Sequence, residues 1–251
     1  MDWIALGALF FVSLVANIFS AFSGGGAGLI QLPVLIFLGL PFTVALATHK
    51  TATVALGIGA TLRHMRTDSL EWRLSLWIMA WGIPGVILGA SAIFYVPERW
   101  AVLALGLLTL SLGLYSIVNK QLGQHHQPRH RNLNSMILGG LVLFIIGALN
   151  GSLTSGTGLF CTLWLVQWFG LDYRRAVAYT LVLVGLAWNG VGAITLGALG
   201  NIQWSWLAPL LAGSFLGGYI GSHLAIQHGN RWIKRGFEVI TILVGISLIL
   251  K

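Results

Sequence analysis

Charged residues are scarce in this sequence of 251 residues: Lys, Arg, Asp and Glu make up 8% of it, whereas 57% of its residues are hydrophobic. A soluble domain of this length usually carries about 25% charged residues. The mean hydropathy is +0.86, and several apolar runs reach the ~20 residues needed to cross a bilayer core of ~30 Å. The composition excludes a soluble globular protein and indicates one that lies in a membrane.

The sequence also lacks the residue patterns on which most enzymes and metal sites depend. Its single cysteine, Cys161, excludes an internal disulfide. There are no paired carboxylates, no nucleophile constellation and no phosphate-binding loop, so the sequence predicts neither an enzyme nor a bound cofactor. His125, His126 and His130 share one polar stretch without a cysteine or carboxylate among them. We therefore predict no metal site there.

Ten hydrophobic segments occupy most of the chain, and they predict an all-α polytopic membrane protein. The first segment has no basic residue before it, so we interpret it as a retained membrane segment rather than a cleaved signal peptide. The second and seventh segments would form helices of only ~20 Å, which is short for a full crossing. The segments are residues 3–22, 28–40, 42–63, 73–96, 99–118, 134–153, 158–170, 174–198, 204–226 and 231–250.

The two halves of the chain are repeats of five segments each. Several landmarks recur at one constant offset of 132 residues, which indicates an internal duplication. The domains predicted are a first transmembrane repeat (1–118), a linker loop (119–133) and a second transmembrane repeat (134–251). The recurring pairs are Thr48 and Thr180, Trp72 and Trp204, Gly85 and Gly217, Gly89 and Gly221, and Arg99-Trp100 and Arg231-Trp232.

The basic residues predict the orientation of these repeats. The net charge is +8, but the basic residues are scattered between apolar runs, so we expect no nucleic-acid partner. Apart from Lys50, which lies inside a segment, only Arg99 and Lys251 fall on the even connections and the termini. The odd connections hold Arg63, Arg66, Arg73, Lys120, Arg129, Arg131, Arg174, Arg175, Arg231, Lys234 and Arg235.

This asymmetry places the odd connections in the cytoplasm by the positive-inside rule. Each repeat then makes an odd number of crossings, so the repeats are inverted in the membrane, as in many transporters. The prediction is a multi-pass protein of the plasma (inner) membrane with the central loop in the cytoplasm and both termini outside. Two alternatives stay open for segments one and two and for their counterparts six and seven. Either both segments cross, or both form a re-entrant hairpin with its glycine-rich tip inside the bilayer. The shortness of the second favours the hairpin, whereas the ~20 apolar residues of the first favour crossing.

Two glycine-rich breaks interrupt the apolar sequence. Glycine costs roughly 1 kcal/mol relative to alanine inside a helix, so such a density of glycine indicates a deliberate break. Irregular backbone at membrane depth is tolerated where it is buried in protein or lines a watery cavity. Glycine lets a ligand approach the backbone, and the start of the following helix attracts anions. Substrate-binding residues are predicted at Ser23, Gly24, Gly25, Gly26 and Gly28, and at Thr154, Ser155, Gly156, Thr157 and Gly158.

Lys50 is the single residue that most strongly suggests a functional site, because it lies about 8 residues, or ~12 Å, into the third segment. A lysine near the bilayer centre costs about 2.5 kcal/mol or more unless a cavity, a carboxylate or an anion stabilises it. The alternatives are contact with an anionic substrate and pairing with Glu238, the sole carboxylate inside the ten segments. His49 beside it is either a titrating site residue or a hydrogen-bonded core residue. Gln31, Thr48 and Thr180 complete the predicted site.

In the order and spacing of its motifs the chain resembles the sulfite exporter TauE/SafE family of membrane permeases. The resemblance rests on the Gly24–Gly28 break with Pro33, on Gly39-Leu40-Pro41, on Arg63-His64, and on the counterparts of these motifs in the second half. It implies a secondary transporter, or permease, for a small sulfur-containing anion such as sulfite or an organosulfonate, acting in export. The chain departs from the family pattern at Thr157, Leu163 and His49-Lys50, which bears on the substrate.

The expected partners are a small anionic substrate, the lipid bilayer and a coupling proton or ion, and a homodimer is one option for assembly. One alternative is a transporter of another small solute, such as a neutral sulfur compound or a cation. The scarcity of carboxylates inside the segments counts against a cation. The other alternative is a non-catalytic membrane subunit of a larger complex.

Overall fold

The structure, a computed structural model, describes residues 3–65, 70–93, 98–154 and 156–249. The predicted site residue Ser155 and the basic residues Arg66 and Lys251 lie outside these described residues. In chain order the helices are α1 (Trp3–Ser23), α2 (Ala27–Phe37), α3 (Phe42–His64), α4 (Trp72–Ala92), α5 (Glu98–Val118), α6 (Leu133–Ser152), α7 (Thr157–Gln167), α8 (Tyr173–Tyr179), a π-helical segment (Thr180–Trp188), α9 (Asn189–Leu199) and α10 (Trp204–Ile249).

The predicted all-α polytopic fold is confirmed. Among the residues that the structure describes, four stretches are long and apolar enough to cross a membrane: α1, α4, α6 and the continuous run Tyr173–Leu199. The short segments are also confirmed, since α2 and α7 have 11 residues each. At 1.5 Å per residue they span roughly 17 Å, well short of a bilayer core. The two short helices therefore end inside the thickness of the molecule.

Two features differ from regular helices. The predicted segment 174–198 contains the π-helical turns of Thr180–Trp188 instead of continuing as one α-helix. Gly57 of α3 comes so close to these turns that a Cβ atom on it would lie 2.5 Å from the Leu186 nitrogen. The other feature is Gly229, whose φ of 74° bends α10. We call residues 204–228 α10a and residues 230–249 α10b; they match the two predicted segments 204–226 and 231–250.

Small residues let the longest helices pack closely. Gly213, Gly217 and Gly221 of α10a lie in turn against Phe10, Leu14 and Ile18 of α1. On α4, Gly85 and Gly89 lie in turn against Phe144 and Ala148 of α6. Because the residue numbers rise together, α1 runs parallel to α10a and α4 runs parallel to α6. Such close approach at glycine is typical of helix association in membranes.

Two further contacts set the directions of the remaining long helices. α3 runs antiparallel to the run Tyr173–Leu199, because Thr53 bonds to Asn189 whereas Gly57 lies against Leu186. α3 runs parallel to α10a, because Thr48 bonds to Gln203 and Arg63 to His223. α1, α3 and α10a therefore point one way, and the helix equivalent to α3 in the second half points the other. Inverted repeats require these directions, and their orientation across the membrane stays a prediction.

Candidate functional site

The first break is built from three consecutive glycines with positive φ. Gly24, Gly25 and Gly26 have φ of 88°, 148° and 104°, a region in which side chains are strained. The backbone nitrogens of Gly24 and Gly25 both donate to the Ser20 carbonyl, at 2.9 and 2.8 Å. The Ser23 hydroxyl donates to the Gly25 carbonyl at 3.1 Å. These bonds end α1 and turn the chain so that α2 begins right after Gly26.

The second break makes a similar turn with fewer glycines. Thr154 has a φ of 61° and Gly156 a φ of 76°, and α7 begins right after Gly156. The Thr157 hydroxyl donates to the Thr154 carbonyl at 2.8 Å, which satisfies an acceptor in the turn. In the second half, a threonine in a left-handed conformation thus takes a place that glycine would fill at lower cost.

The two breaks meet in the interior of the molecule. A Cβ atom on Gly25 would lie 2.5 Å from the Leu159 nitrogen and 2.7 Å from the Gly158 Cα atom. The Thr162 hydroxyl of α7 donates to the Gly24 carbonyl at 2.8 Å. The first turns of α2 and α7 therefore come together, although some 130 residues separate them in the chain.

A cavity of about 40 Å³ lies where the breaks meet. Its walls include the first turns of both short helices, whose N-terminal ends each carry about half a positive charge. Among the described residues that line it, none is acidic. The polar side chains are Ser20, His49, Thr53, Asn150, Thr154, Thr157, Thr180 and Asn189, and the glycines are Gly25, Gly26, Gly28, Gly158 and Gly185.

Lys50 lies just behind this cavity and is completely buried. Its ammonium donates to the side-chain oxygen of Asn150 at 3.0 Å and to that of Asn189 at 3.2 Å. Both asparagines line the cavity. The alternative in which Lys50 pairs with Glu238 is wrong, because Glu238 is bound by Lys234. Lys50 instead adds positive charge to the cavity through two neutral amides.

The amide groups of the two asparagines continue this network to hydroxyls. The Asn150 amide nitrogen donates to Thr157 at 3.0 Å, and that of Asn189 donates to Thr53 at 3.1 Å. Lys50 is therefore linked to the first turn of α7 on one side and to its own helix on the other. The network fixes both asparagine orientations, with each oxygen toward the lysine.

His49 belongs to a separate network directed toward α1. Its Nδ1 atom lies 2.8 Å from the side-chain oxygen of Gln31, whose amide donates to Ser13 at 3.1 Å. Ser13 in turn donates to the Leu210 carbonyl at 2.7 Å. Gln31 thus does not line the cavity; it holds the ring of His49, which does.

Of the remaining predicted site residues, one lines the cavity and the others hold the surrounding backbone in place. Thr180 lines the cavity, and its hydroxyl oxygen lies 2.9 Å from that of Thr162. The Thr48 hydroxyl instead accepts a hydrogen bond from the backbone nitrogen of Gln203 at 3.0 Å, and this bond fixes the start of α10. Ser23, Gly24 and Gly156 shape the two turns without forming part of the lining.

Sequence reasoning missed the part that Asn150 and Asn189 play in the lining, along with that of Ser20 and Thr53. Both asparagines can be interpreted from the sequence as hydrogen-bonding links between helices. The available signal was their position: each is a polar amide inside an apolar segment, at the same membrane depth as the break or as Lys50. Only the side-chain contacts show whether such an asparagine links two helices or lines the cavity.

Of the histidines of the central loop, His126 has a pKa that its surroundings shift. Burial and, second, the Arg175 guanidinium hold the pKa of His126 below its usual value of 6.5. His126 is therefore neutral near pH 7 and adds no charge to the loop. Within the part of the chain that the structure describes, no three His, Cys, Asp or Glu side chains are grouped to hold a metal ion.

Comparison with known proteins gives one consistent result. The family profile described as "Sulfite exporter TauE/SafE" matches residues 9–248. A "Probable membrane transporter protein" of Haemophilus influenzae is 30% identical over 230 residues, which cover 91% of this chain and 88% of the relative. The "Probable membrane transporter protein YfcA" of Escherichia coli K12 is 27% identical over 245 residues, 97% of this chain and 89% of that protein.

Proposed function

The chain belongs to the sulfite exporter TauE/SafE family, and we propose that it is a secondary transporter that exports a small sulfur oxyanion through the central cavity. Its relatives are named as membrane transporters, and a multi-pass transporter is the class to which this protein belongs. The substrate, the direction of transport and the placement in the plasma (inner) membrane are parts of the proposal.

One observation supports an anion as the substrate. Two helix N-termini and the ammonium of Lys50 all act on one buried cavity, and no acidic residue is among the described residues that line it. Helix N-termini and backbone amides favour negative charge. A cation would meet three sources of positive potential in a medium of low dielectric constant, where such interactions are strong.

The cavity size favours a compact substrate. One water molecule occupies roughly 10–15 Å³ of a cavity, so a cavity of about 40 Å³ suits a ligand of only a few heavy atoms. Sulfite, with three oxygens on one sulfur, is an ion of this compact kind. An organosulfonate with an added carbon chain needs the walls to move apart. We therefore rank sulfite above organosulfonates as the substrate.

The surrounding groups suggest how such an anion is bound. The first turns of α2 and α7, with Gly28 and Gly158 in the lining, supply the positive potential that replaces the water of the anion. The hydroxyls of Thr53 and Thr157 already donate to backbone carbonyls and shape the wall. The ammonium of Lys50 is separated from the cavity by the side chains of Asn150 and Asn189. It therefore attracts the anion without contacting it. Release follows when one repeat rocks against the other around the site, which is the general behaviour of inverted-repeat transporters. A coupling proton or ion completes the proposed cycle.

Uptake into proteoliposomes containing the purified protein tests this function. We expect sulfite flux above that of protein-free vesicles, slower flux of thiosulfate and sulfate, and the slowest flux of taurine. Matched vesicles with Lys50→Met protein serve as the control. A variant that carries the same sulfite flux as the unchanged protein would show that Lys50 does not act on the substrate. No sulfite flux by the unchanged protein, or flux of a neutral solute or a metal cation instead, would refute the proposal.

A further inference from the structure

A second pocket, far more basic than the central cavity, lies between the end of α5 and the start of α10b. Its volume is about 480 Å³. The charged residues that line it are Lys120, Arg231, Lys234, Arg235 and Glu238. Four cations and one carboxylate thus share a space about ten times larger than the central cavity, so the two have different occupants.

The charges in this pocket do not cancel. Lys234 is buried, pairs with Glu238 and donates to the carbonyl of Ser116. This pair neutralises itself and holds α10b against α5. Lys120, Arg231 and Arg235 are exposed, and Glu238 is the only acidic side chain among the residues that line the pocket. Three positive charges therefore face an opening that has no carboxylate left to bind them.

The surface beside the pocket is apolar. Val239 and Leu243 follow Arg235 by one and two helical turns on the same face of α10b, and they are 58% and 63% exposed. Val118 at the end of α5 is 78% exposed. The Arg235 guanidinium lies over the ring of Trp232 at 5.2 Å, and tryptophan is typical of the membrane–water interface. The pocket thus lies where lipid headgroups give way to acyl chains.

We propose that this pocket binds the phosphate of an anionic phospholipid. Arginine forms paired hydrogen bonds to phosphate oxygens, and basic pockets between membrane helices bind phosphate headgroups of lipids. The adjacent apolar face of Val239 and Leu243 receives the acyl chain, which a soluble phosphate lacks. The lipid bridges α5 of the first repeat and α10b of the second.

Native mass spectrometry of the delipidated protein in detergent tests this site. Phosphatidylglycerol, phosphatidylcholine and soluble glycerol phosphate are each added to the unchanged protein and to three variants: Arg231→Gln, Arg235→Gln and the double variant. Arg73→Gln is the matched control, because Arg73 is an exposed basic residue at the start of α4, an end that is also predicted to be cytoplasmic. The masses report the number of bound lipids and of protein copies together.

We expect phosphatidylglycerol to bind more tightly than phosphatidylcholine, and glycerol phosphate to bind weakly. Affinity for phosphatidylglycerol should fall about fivefold in each single variant and about thirtyfold in the double variant, as expected for one interfacial basic residue each, with no change in Arg73→Gln. Equal binding of both lipids by the unchanged protein would overturn the proposal, even if a variant failed to fold. Glycerol phosphate that binds as tightly as the lipid would overturn it too. So would a lipid-free protein dimer that is lost in the double variant, because a second copy would then occupy the pocket.

Discussion

The chain buries two lysines, Lys50 and Lys234, in different surroundings. Lys234 has a carboxylate partner in Glu238, whereas Lys50 has two neutral amides. Removing a paired charge leaves an uncompensated partner, which is costly, whereas removing a poorly paired charge is often cheap. The same substitution should therefore have opposite consequences at the two positions.

The first prediction is that Lys50→Met weakens sulfite affinity by about ten- to hundredfold, the attraction between two unit charges roughly 6–10 Å apart at an effective dielectric constant of about 20. Its melting temperature should change little, since the lost hydrogen bonds to Asn150 and Asn189 are offset by removal of a buried charge. Lys50→Arg should keep part of the affinity, because the charge persists although its geometry changes. Equilibrium binding and thermal unfolding in detergent measure both properties.

Lys234→Met is the matched control. It should lower stability by roughly 3 kcal/mol, because Glu238, whose side chain is only 19% exposed, is left without its cationic partner. Lys234→Met/Glu238→Gln should recover most of the loss. Sulfite affinity should be unchanged in whichever of these variants folds. If Lys50→Met lost stability instead of affinity, Lys50 would be a structural residue and not part of the anion site.

A second prediction at this scale uses Asn150, whose side-chain oxygen lies 3.0 Å from the Lys50 ammonium. Asn150→Asp keeps the shape of the side chain and gives the lysine a carboxylate partner. The pair neutralises the positive potential of the cavity, so sulfite affinity should fall at least tenfold while the protein stays folded. Asn119→Asp at the exposed end of α5 is the control. An unaltered affinity in Asn150→Asp would contradict the electrostatic account.

At the scale of the element, the contact between the two breaks is the point to test. A Cβ atom on Gly25 would overlap the backbone of α7, whereas nothing lies within 4 Å of one on Gly39, although its φ is also positive, at 95°. Both substitutions to alanine carry the strain of a left-handed residue, about 1–2 kcal/mol. Only Gly25→Ala also pushes α2 and α7 apart.

We therefore predict that Gly25→Ala abolishes sulfite flux and that Gly39→Ala retains most of it at a slightly lower melting temperature. Membrane insertion and expression of both variants should match those of the unchanged protein. Gly26→Leu should likewise abolish flux, since its side chain would enter the cavity wall. Normal flux by Gly25→Ala would mean that the contact between the breaks serves packing alone.

At the scale of the whole molecule, the orientation in the membrane is the open prediction. The odd connections carry most of the basic residues, so the 119–133 loop should face the cytoplasm and both termini should face outward. Cys161 is completely buried, so a cysteine introduced at Gln124 or at Lys251 is the reactive one. Membrane-impermeant maleimide added to intact cells should label the variant at position 251 and spare the one at 124.

Controls for this labelling are permeabilised cells, in which both introduced cysteines should react. Labelling of both positions from the outside of intact cells would refute inverted repeats, because the two halves would then enter the membrane in the same direction. The helix directions within the protein cannot substitute for this measurement, since they are the same whichever face is cytoplasmic.

The sequence by itself determined the class of the protein, the number and lengths of its apolar segments and the positions of its breaks. These follow from local properties: apolar length, glycine density and the spacing of the duplication. It also singled out Lys50 as a residue that needs a partner, because the cost of a charge at that depth depends on the medium and not on the neighbours.

Only the tertiary structure decided what that partner is. Asn150, Asn189 and Glu238 are all far from Lys50 in the chain, and the choice among them depends on helix packing that residue type does not encode. The joining of the two breaks and the π-helical turns beside Gly57 were decided in the same way. An apolar run such as 180–188 has no residue that distinguishes a π-turn from an α-turn, so contact between α3 and its equivalent helix selects the conformation.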